Sequence, residues 1–474
     1  MKVRKDIVKD PLFKLIGNIG DDLGHKIFVI GGWVRDSVME RKTSETEFDI
    51  VTDKSGIELA EKVAKKLKIY KIAKYKSFGT AAISYNGVKL EFNGARKESY
   101  NKNSRNPVVC SGTIEDDQLR RDFTINAMAI GLNNNNFGFF YDPFNGLEHI
   151  KNRLLKTPTD PKKTFIDDPL RMMRAVRFAT ILNFEIDKKS MKEIYENRNR
   201  LKIVKQERIT EELNKIILSN EPSIGFKLLS KLGLLKIFFP EFELLKGVDI
   251  IEGISHKDNF YHTLEVLDNV CKKSDNLWLR WSAILHDIAK PQTKRFDKRN
   301  GWTFHGHEHL GSKMTKTIFK NLKLPTNEKM KYVQKLVLLH LRPIALSNEK
   351  VTDSGLRRLL FEAQDDIDDL LLLCNSDITS KNNFKVIKYK KNLEKVYKKI
   401  KEVEKRDKIR NWQPPISGEV IMEKLNISPS KLVGLIKLEI REAILDGLIE
   451  NNYDEAEKYM YKIAKKFETK FENK

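Results

Sequence analysis

The chain has 474 residues, of which 40% are hydrophobic and 32% are charged, so we expect about three domains with ample apolar core. The formal net charge of +22 excludes an acidic solvating protein and fits a polyanionic partner such as nucleic acid. Lysine far outnumbers arginine, however, and drift of an AT-rich coding sequence would raise the charge in the same way.

Membrane and redox features both favour a cytoplasmic protein. No stretch approaches the ~18 apolar residues of a transmembrane helix, and the N-terminal segment lacks the apolar region of a signal peptide. The three cysteines, Cys110, Cys271 and Cys374, show no CxxC spacing and are expected to be reduced thiols. We therefore expect no membrane partner. The oligomeric state is not predictable from these features.

The first motif is a strand, a glycine turn and a helix, preceded by a predicted amphipathic helix over residues 1–25. Residues 26–30 form a short apolar run that ends at Gly31 and Gly32, and helical spacing follows from Val34. Such a turn lets backbone N–H groups approach a phosphate. Further on, Glu47 and Asp49 point to one face of a second strand because side chains alternate with period two. A carboxylate pair beside a phosphate-binding turn indicates a divalent-metal site, and the alternative is a solvated strand end.

The following segments predict that residues up to about 145 form a compact α/β domain. Helical spacing covers residues 57–67, and strand-like segments cover 80–85 and 88–92. Glu91 lies between apolar neighbours in the last strand, so its side chain should point away from the core. It is a candidate third carboxylate beside Glu47 and Asp49.

Arg120 and Arg121 are predicted to open a helix that places Asp122 and Asn126 one turn apart. This group could clamp a triphosphate and a ribose, because arginine forks match phosphate oxygens. The alternative for the two arginines is an exposed, solvated pair.

From about residue 150 the strands are predicted to cease. A helix is expected to open at Asp167-Asp168-Pro169, with Arg171, Arg174 and Arg177 continuing the stripe that begins at Asp168. A carboxylate beside a forked donor can read the Watson–Crick edge of a base. An ordinary intrahelical ion pair near a helix start explains the same spacing.

These motifs form an ordered series: GGWVRD at 31–36, ExD at 47–49, RRDFTINA at 120–127, DPFNG at 142–146, DDPLRMMRAVRF at 167–178 and QERITEEL at 206–213. The series resembles the class II tRNA nucleotidyltransferases (CCA-adding enzymes) and the bacterial poly(A) polymerases that share their head. The resemblance implies an α+β protein: a small α/β, polymerase-beta-like nucleotidyltransferase head, then an all-helical neck, an HD domain and a helical tail. The implied domains are 1–155, 156–245, 246–395 and 396–474.

The same resemblance implies roles for individual residues. Glu47, Asp49 and Glu91 would be catalytic and hold Mg²⁺. Nucleotide-binding residues would be Gly31, Gly32, Arg35, Asp36, Arg120, Arg121, Asp122, Asn126, Asp168, Arg171, Arg174 and Arg177, with Asp168 and Arg171 as the protein template for C and then A. Asp142 and Gly146 would lie in a motif that reshapes the pocket, and Arg208 and Glu212 in one that braces it.

Two positions depart from the family pattern. Glu47 stands where the family usually has Asp. Its extra methylene displaces the carboxylate, whereas Mg²⁺ demands near-ideal octahedral geometry. We expect activity with an altered metal preference. Asp167 stands where the family more often has Glu, which is a milder change.

A second constellation concentrates histidine: seven of the 9 histidines fall between residues 256 and 340. The ordered pattern resembles HD-domain metal-dependent phosphohydrolases over about residues 246–385. That match implies the ligands His262, His286, Asp287, His307, His340 and Asp377, with His305 or His309 as substitutes. Imidazole and carboxylate together suit several divalent metals, so the identity of this metal is open. Either the site hydrolyses phosphoesters or the domain is a scaffold under the RNA.

Residues 381–408 are strongly basic with heptad-like apolar spacing, which fits a solvated helix face or one that follows an RNA backbone. A Trp-Gln-Pro-Pro break at 412–415 precedes the helical tail. The expected function is addition of C, C and A to the 3′ end of tRNA from CTP and ATP. The alternatives are poly(A) synthesis, CC- or A-only addition, or an HD phosphohydrolase whose weakened head only binds RNA.

Overall fold

The computed structural model describes residues 6–41, 47–76, 79–99, 108–348, 352–380, 382–407, 410 and 412–472. Contacts divide the chain into two compact units, Met1–Pro240 and Glu241–Lys474. The finer division into four domains stays a prediction. Among the described residues, no helix is both long enough and apolar enough to cross a membrane.

The first unit combines a sheet with many helices. Its strands are β1 Ile27–Ile30, β2 Glu47–Thr52, β3 Ala73–Tyr75, β4 Thr80–Tyr85, β5 Val88–Gly94, β6 Arg96–Ser99, β7 Val108–Ser111, β8 Ala129–Gly131, β9 Phe140–Tyr141, β10 Leu154–Leu155 and β11 Glu185–Ile186. Its helices are α1 Pro11–Leu23, α2 Gly32–Val38, α3 Gly56–Lys66, α4 Ile114–Leu119, α5 Gly146–Lys151, α6 Pro161–Asp167, α7 Leu170–Leu182, α8 Lys188–Asn197, α9 Gln206–Ile217, α10 Pro222–Lys231 and α11 Leu235–Phe238. Short 3₁₀ helices cover Thr124–Asn126 and Arg198–Ile203.

The second unit is mostly helical, and a short helix at its border is α12 Pro240–Glu243. Two hairpins are formed by β12 Ile250–Ile251, β13 Ile254–Ser255, β14 Arg295–Asp297 and β15 Gly301–Thr303. The helices are α13 Asn259–Cys271, α14 Leu277–Leu285, α15 Lys290–Thr293, α16 His307–Asn321, α17 Glu328–Leu339, α18 Arg342–Asn348, α19 Asp353–Ala363, α20 Ile367–Asp377, α21 Asn383–Asp407, α22 Gly418–Leu425, α23 Lys431–Asp446 and α24 Tyr453–Glu472. A 3₁₀ turn, Gln364–Asp366, joins α19 to α20.

The central sheet of the first unit has the strand order β3-β4-β5-β2-β1-β8-β9. Within it β2 and β5 run parallel, and the other neighbours run antiparallel. Strand β1 is buried on both sides, and the apolar residues of β2 and β5 join α1 and α3 in one core. The polar residues of β2 and β5 therefore lie on the face opposite this core.

The predicted fold class is confirmed: a mixed α/β head is followed by a mostly helical remainder. The expectation that strands cease near residue 150 is wrong in detail. Strands β10 and β11 form a two-residue parallel pair, Leu154 with Glu185 and Leu155 with Ile186, and the two hairpins follow later. The N-terminal helix is also shorter than predicted, because Pro11 occupies its first turn and Asp10 caps it.

Arg120 and Arg121 do not open a helix; they follow the end of one. A capping box between Thr113 and Asp116 starts α4 at Ile114, and Arg120 is its C-cap. The helix begins and ends earlier in the chain than predicted, because its N-cap residue, Thr113, lies seven residues before Arg120. Both guanidinium groups therefore lie at a helix C-terminus, where cations are favoured.

Asp167 and Asp168 also lie outside the helix that they were predicted to open. Asp167 is the last residue of α6, and α7 begins at Leu170. Asp168 has φ −132° and ψ 98°, because the ring of Pro169 disfavours the helical conformation for the residue before it. The carboxylate of Asp168 is thus held at a break between two helices.

Candidate active site and candidate metal centre

Three carboxylates meet on the face of the central sheet that is opposite the core formed with α1 and α3. The parallel register of β2 and β5 sets Asp49 beside Glu91 and Glu47 beside Lys89. One carboxylate oxygen from each of Glu47, Asp49 and Glu91 lies within 4.8 Å of the other two. The structure therefore brings the three predicted carboxylates together.

The electrostatics of this cluster favour a bound cation. Burial raises the pKa of Asp49 to about 6, aided by Glu91 and Glu47 and opposed by Arg121. The Lys89 ammonium donates a hydrogen bond to Glu47, which raises the pKa of the lysine, and it lies 3.7 Å from Glu91 Oε2. Three carboxylates are a suitable oxygen donor set for a hard divalent cation, so the residues fit a metal such as Mg²⁺.

The glycine turn allows two charged side chains to approach the backbone after β1. Gly31 has φ +90°, and a Cβ there would lie 2.8 Å from Asp49 Oδ2 and 2.9 Å from Arg121 Nη1. Any side chain at Gly31 would therefore displace the carboxylate or the guanidinium. Gly32 lies next to it and lines the cavity described below.

A cavity of about 750 Å³ adjoins the carboxylates. It is lined by almost all of the predicted nucleotide-binding residues: Gly32, Arg35, Asp36, Arg120, Arg121, Asp122, Asn126, Asp168, Arg171, Arg174 and Arg177. Arg41, Arg96 and Arg208 also line it, and sequence analysis did not assign Arg41 or Arg96 to the site. The excess of guanidinium groups over carboxylates suits a polyanionic ligand.

Arg35 is fixed from both sides of its guanidinium group. Nε and Nη2 donate to the carboxylate of Asp36 at 3.0 and 2.7 Å, and Nη1 donates to Asn126 Oδ1 at 2.7 Å. This bidentate geometry holds the planar group in one orientation. Asn126 in turn donates to Asp122 Oδ1 at 2.9 Å.

Asp122 is a buried anchor for the helix that carries the predicted template. Arg174 Nε donates to Asp122 Oδ2 at 2.7 Å. Burial alone would raise the pKa of Asp122, but Arg174 and the hydrogen bond from Asn126 hold it well below its usual range. The carboxylate is thus ionised at neutral pH and joins α7 to the segment after α4.

Asp117 is a site residue that sequence analysis missed. It is fully buried on α4, and it accepts from Arg120 Nε at 2.9 Å and from Arg121 Nε at 3.2 Å. Burial would raise its pKa, but the two arginines lower it below the ordinary value. The spacings of three and four residues are those of helical ion pairs, so the sequence did contain this signal.

The predicted template residues lie at the break between α6 and α7. Asp168 Oδ1 accepts from the Leu170 N–H at 3.1 Å, and Arg171 Nη2 donates to the carbonyl of Arg120 at 2.7 Å. The second contact links the template to the arginine pair. Both side chains line the 750 Å³ cavity.

Phe178 is a second residue that sequence analysis missed. The guanidinium carbons of Arg177, Arg35 and Arg174 lie 4.2, 5.1 and 5.4 Å from the centre of its ring. An aromatic face attracts cations at these distances, which offsets the mutual repulsion of three arginines. Phe178 also packs edge-to-face on Phe123, at 5.8 Å between ring centres.

Other predicted residues lie at or beside this cavity. Arg177 pairs with Glu212 at 3.0 Å, and burial lowers the pKa of Arg177 to about 10. Arg208 lines the cavity and pairs with Glu211 at 2.9 Å. Asp142 accepts from the N–H groups of Gly146 and Leu147 at 2.6 and 2.9 Å and so satisfies the first two N–H groups of α5.

The second unit contains a separate cluster of imidazole and carboxylate groups. His262 Nε2 lies 2.9 Å from Asp377 Oδ1 and 3.5 Å from Asp287 Oδ2, and His286 Nε2 lies 3.3 Å from Asp287 Oδ2. On the other side, Asp287 Oδ1 lies 3.3 Å from His307 Nε2 and 3.9 Å from His340 Nε2. The structure therefore brings together all six predicted ligands of this centre, with Asp287 in the middle.

The four histidines present the same ring nitrogen to the cluster. Each Nδ1 lies near an oxygen: His286 near Ala283 O (2.7 Å), His307 near Phe304 O (2.7 Å), His340 near Val337 O (2.7 Å) and His262 near Thr379 Oγ1 (2.9 Å). A carbonyl can only accept, so Nδ1 carries a proton in those three rings, and Nε2 is the nitrogen that faces the cluster. This is the arrangement of metal-bound histidine, and the donor set fits a divalent transition metal.

Asp287 and His286 form a charged pair in this cluster. Burial would raise the pKa of Asp287, but His286 and Lys290 hold it well below the ordinary range. Burial would lower the pKa of His286, but Asp287 raises it to about 10, so a metal ion must displace a proton from this ring. Burial lowers the pKa of His340 to about 4, so this ring is neutral at pH 7. His305 and His309 are exposed and stay outside the cluster, so the structure does not place either of them as a substitute ligand.

Comparisons with known proteins match both units of the chain. Family models match in three places: the poly A polymerase head domain at residues 27–156, a probable RNA and SrmB-binding site of polymerase A at 183–245, and the HD domain at 259–374. An A-adding tRNA nucleotidyltransferase of Deinococcus radiodurans is 30% identical over 346 residues, which cover 70% of this chain and 75% of the relative. A CCA-adding enzyme of Lactobacillus helveticus is 37% identical over 198 residues, 41% of this chain and 47% of the relative.

A solved structure shares the fold over nearly the whole length. The Thermotoga maritima CCA-adding enzyme complexed with tRNA superposes with a TM-score of 0.61 at 20% identity. The match covers 98% of this chain and 99% of that one.

Asp49 gives the carboxylate cluster a testable pH dependence. Its pKa is raised, so the folded protein is protonated there below about pH 6, and a metal ion must then displace the proton. We expect the Kd for Mn²⁺ at this cluster to rise about tenfold per pH unit below pH 6. Electron paramagnetic resonance titrations at pH 5.0–7.5, in a D287A background that removes the second centre, would measure it. D49N is the control: the same pH dependence in D49N and its parent would contradict the assignment.

Proposed function

The chain belongs to the tRNA nucleotidyltransferase family, and on that premise we propose that it adds C, C and A to the 3′ end of tRNA from CTP and ATP. The observation that carries this proposal is the junction of a three-carboxylate cluster with an arginine-lined cavity that contains Asp168 and Arg171. A metal site beside a polyanion site is the requirement of phosphoryl transfer.

Glu47, Asp49 and Glu91 would hold two Mg²⁺ ions, which supply activation of the attacking hydroxyl and charge neutralisation at the leaving group. Arg120 and Arg121, fixed by Asp117, would hold the triphosphate. The tRNA 3′-oxygen forms a bond to the α-phosphorus as the bond to the β-phosphate bridging oxygen breaks. Pyrophosphate leaves, and the hydroxyl proton passes to solvent.

Asp168 and Arg171 would choose the base without a nucleic-acid template. Cytosine and adenine each present an exocyclic amino donor beside a ring-nitrogen acceptor, so one carboxylate and one guanidinium can pair with both. Guanine and uracil present a carbonyl and a ring N–H at those places. A carbonyl facing Asp168 would leave two acceptors in contact, which disfavours GTP and UTP.

Extension of a tRNA transcript separates this proposal from its alternatives. With a transcript that ends at the discriminator base, growth by three residues that requires both CTP and ATP is the expected result. Addition of a single A to a transcript that ends in CC, with no extension of the transcript that ends at the discriminator base, would assign A-only addition. That is the activity named for the Deinococcus relative. A long ladder with ATP alone would assign poly(A) synthesis.

Glu91 and His286 distinguish the two centres. We expect E91Q to slow extension by about a hundredfold to a thousandfold, because the carboxylate acts on charge in the transition state. H286A lies in the other unit and should extend tRNA at the rate of the parent. Single-turnover extension assays would measure both. Loss of extension in H286A with retention in E91Q would instead make the second unit the working site.

We also propose that the second centre hydrolyses phosphoesters. The cluster contains six candidate ligands, and its four histidines all direct Nε2 inward, an arrangement that a purely structural domain does not require. A metal ion at such a site would supply an activated water. His262, His286, His307 and His340 would bind through Nε2, with Asp287 and Asp377 completing the set. The identity of this metal is open between several divalent ions.

A metal screen with p-nitrophenyl phosphate and bis-p-nitrophenyl phosphate tests this activity. We expect turnover with at least one of Mn²⁺, Ni²⁺ or Zn²⁺, and loss of about a hundredfold or more in H286A, since second-centre ligands set metal affinity. H309A is the matched control because His309 is 68% exposed in its side chain and lies outside the cluster. Absence of turnover with every metal, or equal turnover in H286A, would leave a scaffold role.

Phe178 is expected to position the arginines that bind the nucleotide. F178L should weaken the affinities for ATP and CTP about threefold to thirtyfold, because the three guanidinium groups lose their aromatic partner. F178W should retain the affinity. F226L makes the same change at a buried phenylalanine of α10 and serves as the control. Equal nucleotide Kd values in F178L and the parent, by isothermal titration calorimetry, would show that Phe178 is only a packing residue.

A further inference from the structure

One short segment of the chain contacts both nitrogens of the His262 ring. Asp377 Oδ1 lies 2.9 Å from Nε2, and Thr379 Oγ1 lies 2.9 Å from Nδ1. The Thr379 N–H in turn donates to the carbonyl of Asp377 at 2.7 Å. The hydroxyl of Thr379 is therefore fixed relative to one candidate metal ligand and contacts a second one.

His262 differs in this respect from the other three histidines of the cluster. The Nδ1 partners of His286, His307 and His340 are main-chain carbonyls three residues earlier in the chain. His286 and His340 follow the ends of α14 and α17, where carbonyls lack a helical partner, and His307 begins α16. The orientation of these three rings is thus set by the local backbone.

The position of His262 in its helix removes that option. It is the fourth residue of α13, and its N–H donates to the carbonyl of Asp258 at 3.1 Å. The carbonyl three residues earlier, that of Asn259, lies inside the helix, where the N–H four residues later is its regular partner. A side chain 117 residues away, that of Thr379, contacts Nδ1 instead.

We propose that Thr379 is a positioning residue, which orients the ring of His262 so that Nε2 faces a metal ion; this inference rests on the second centre proposed above. A neutral imidazole that binds metal through Nε2 carries its proton on Nδ1, and that N–H needs an acceptor. The hydroxyl oxygen of Thr379 accepts it. Removal of the hydroxyl would leave the N–H without this acceptor in the metal-bound state, and the lost free energy would weaken metal binding.

Lys257 secures the same segment from the start of α13. Its ammonium donates to the Thr379 carbonyl at 2.6 Å and to Oγ1 at 3.4 Å. Lys257 directly precedes Asp258, the N-cap of α13, so it joins the start of the helix that carries His262 to the segment that follows α20. The hydroxyl of Thr379 is thus held in place by its own backbone and by Lys257.

Co²⁺ binding tests this role without catalysis. The full-length protein, in a D49N background that removes the central carboxylate of the first cluster, would be titrated with Co²⁺ and followed by its visible absorption. We expect T379V to raise the Kd for Co²⁺ about tenfold to a hundredfold, because residues that orient a metal-bound histidine act on affinity at that scale. T379S retains the hydroxyl and should bind as the D49N parent does.

An H262A background separates positioning from structural damage. In that background Thr379 has no ring to orient, so T379V should leave the Kd for Co²⁺ unchanged, although H262A itself binds the ion more weakly than the parent. A further loss of the same size in the H262A/T379V double variant would show that Thr379 does not act through His262, and it would overturn the proposal.

Thr315 provides the matched control, since it is a fully buried threonine of α16 whose hydroxyl donates to the Gly311 carbonyl at 2.9 Å. T315V should bind Co²⁺ as the parent does. An equal Kd in T379V and the parent, or an equal loss in T315V, would overturn the role of Thr379. If the parent binds Co²⁺ but hydrolyses no phosphoester, the proposed hydrolysis fails while the role of Thr379 stands. If the parent binds no Co²⁺ at this centre, both fail.

Discussion

The parallel pairing of β2 with β5 is the constraint on which the first unit depends. It places Asp49 directly beside Glu91, with Glu47 one pleat away, and buried apolar residues between them secure both strands in the core. Three carboxylates at this separation repel one another. Burial raises the pKa of Asp49, and the repulsion by Glu91 and Glu47 raises it further. Arg121 and Lys89 offset part of it from opposite sides. The arrangement is an anionic site that a divalent cation would neutralise.

Ion pairs between buried carboxylates and arginines extend this site from the sheet into the helices that follow it. Asp117 fixes the arginine pair, Asp122 fixes Arg174, and Glu212 fixes Arg177. Each carboxylate keeps a guanidinium group in one orientation, and Phe178 supports three of them on its ring. Such pairs add little net stability when buried, because desolvation opposes attraction. Their benefit here is geometric, since a preorganised set of donors need not reorganise around a triphosphate.

Two different sets of candidate metal ligands lie in different units of one chain. The sheet supplies hard carboxylate oxygens, and the helices of the second unit supply imidazoles whose Nδ1 protons are engaged by main-chain carbonyls. Donor type separates the two metals expected: oxygen ligands suit Mg²⁺, whereas imidazole suits transition metals. Glu47, which departs from the family pattern, accepts a hydrogen bond from Lys89, its partner in the strand register.

Motif order and residue type by themselves determined the family, the α/β head with its helical remainder, and the residues that converge at each centre. They did so because glycine turns, carboxylate pairs and histidine patterns carry chemistry that local spacing reveals. Local signals that the sequence interpretation overlooked decide the positions of Arg120 and Asp168. Arg120 ends a helix whose start depends on the Thr113 cap, and Asp168 is extended because Pro169 follows it. Phe178 contacts Arg174 and Arg177 of its own helix, but only the tertiary structure brings Arg35, 143 residues away in the chain, to the same ring. Such long-range neighbours leave no local pattern, so packing alone establishes them.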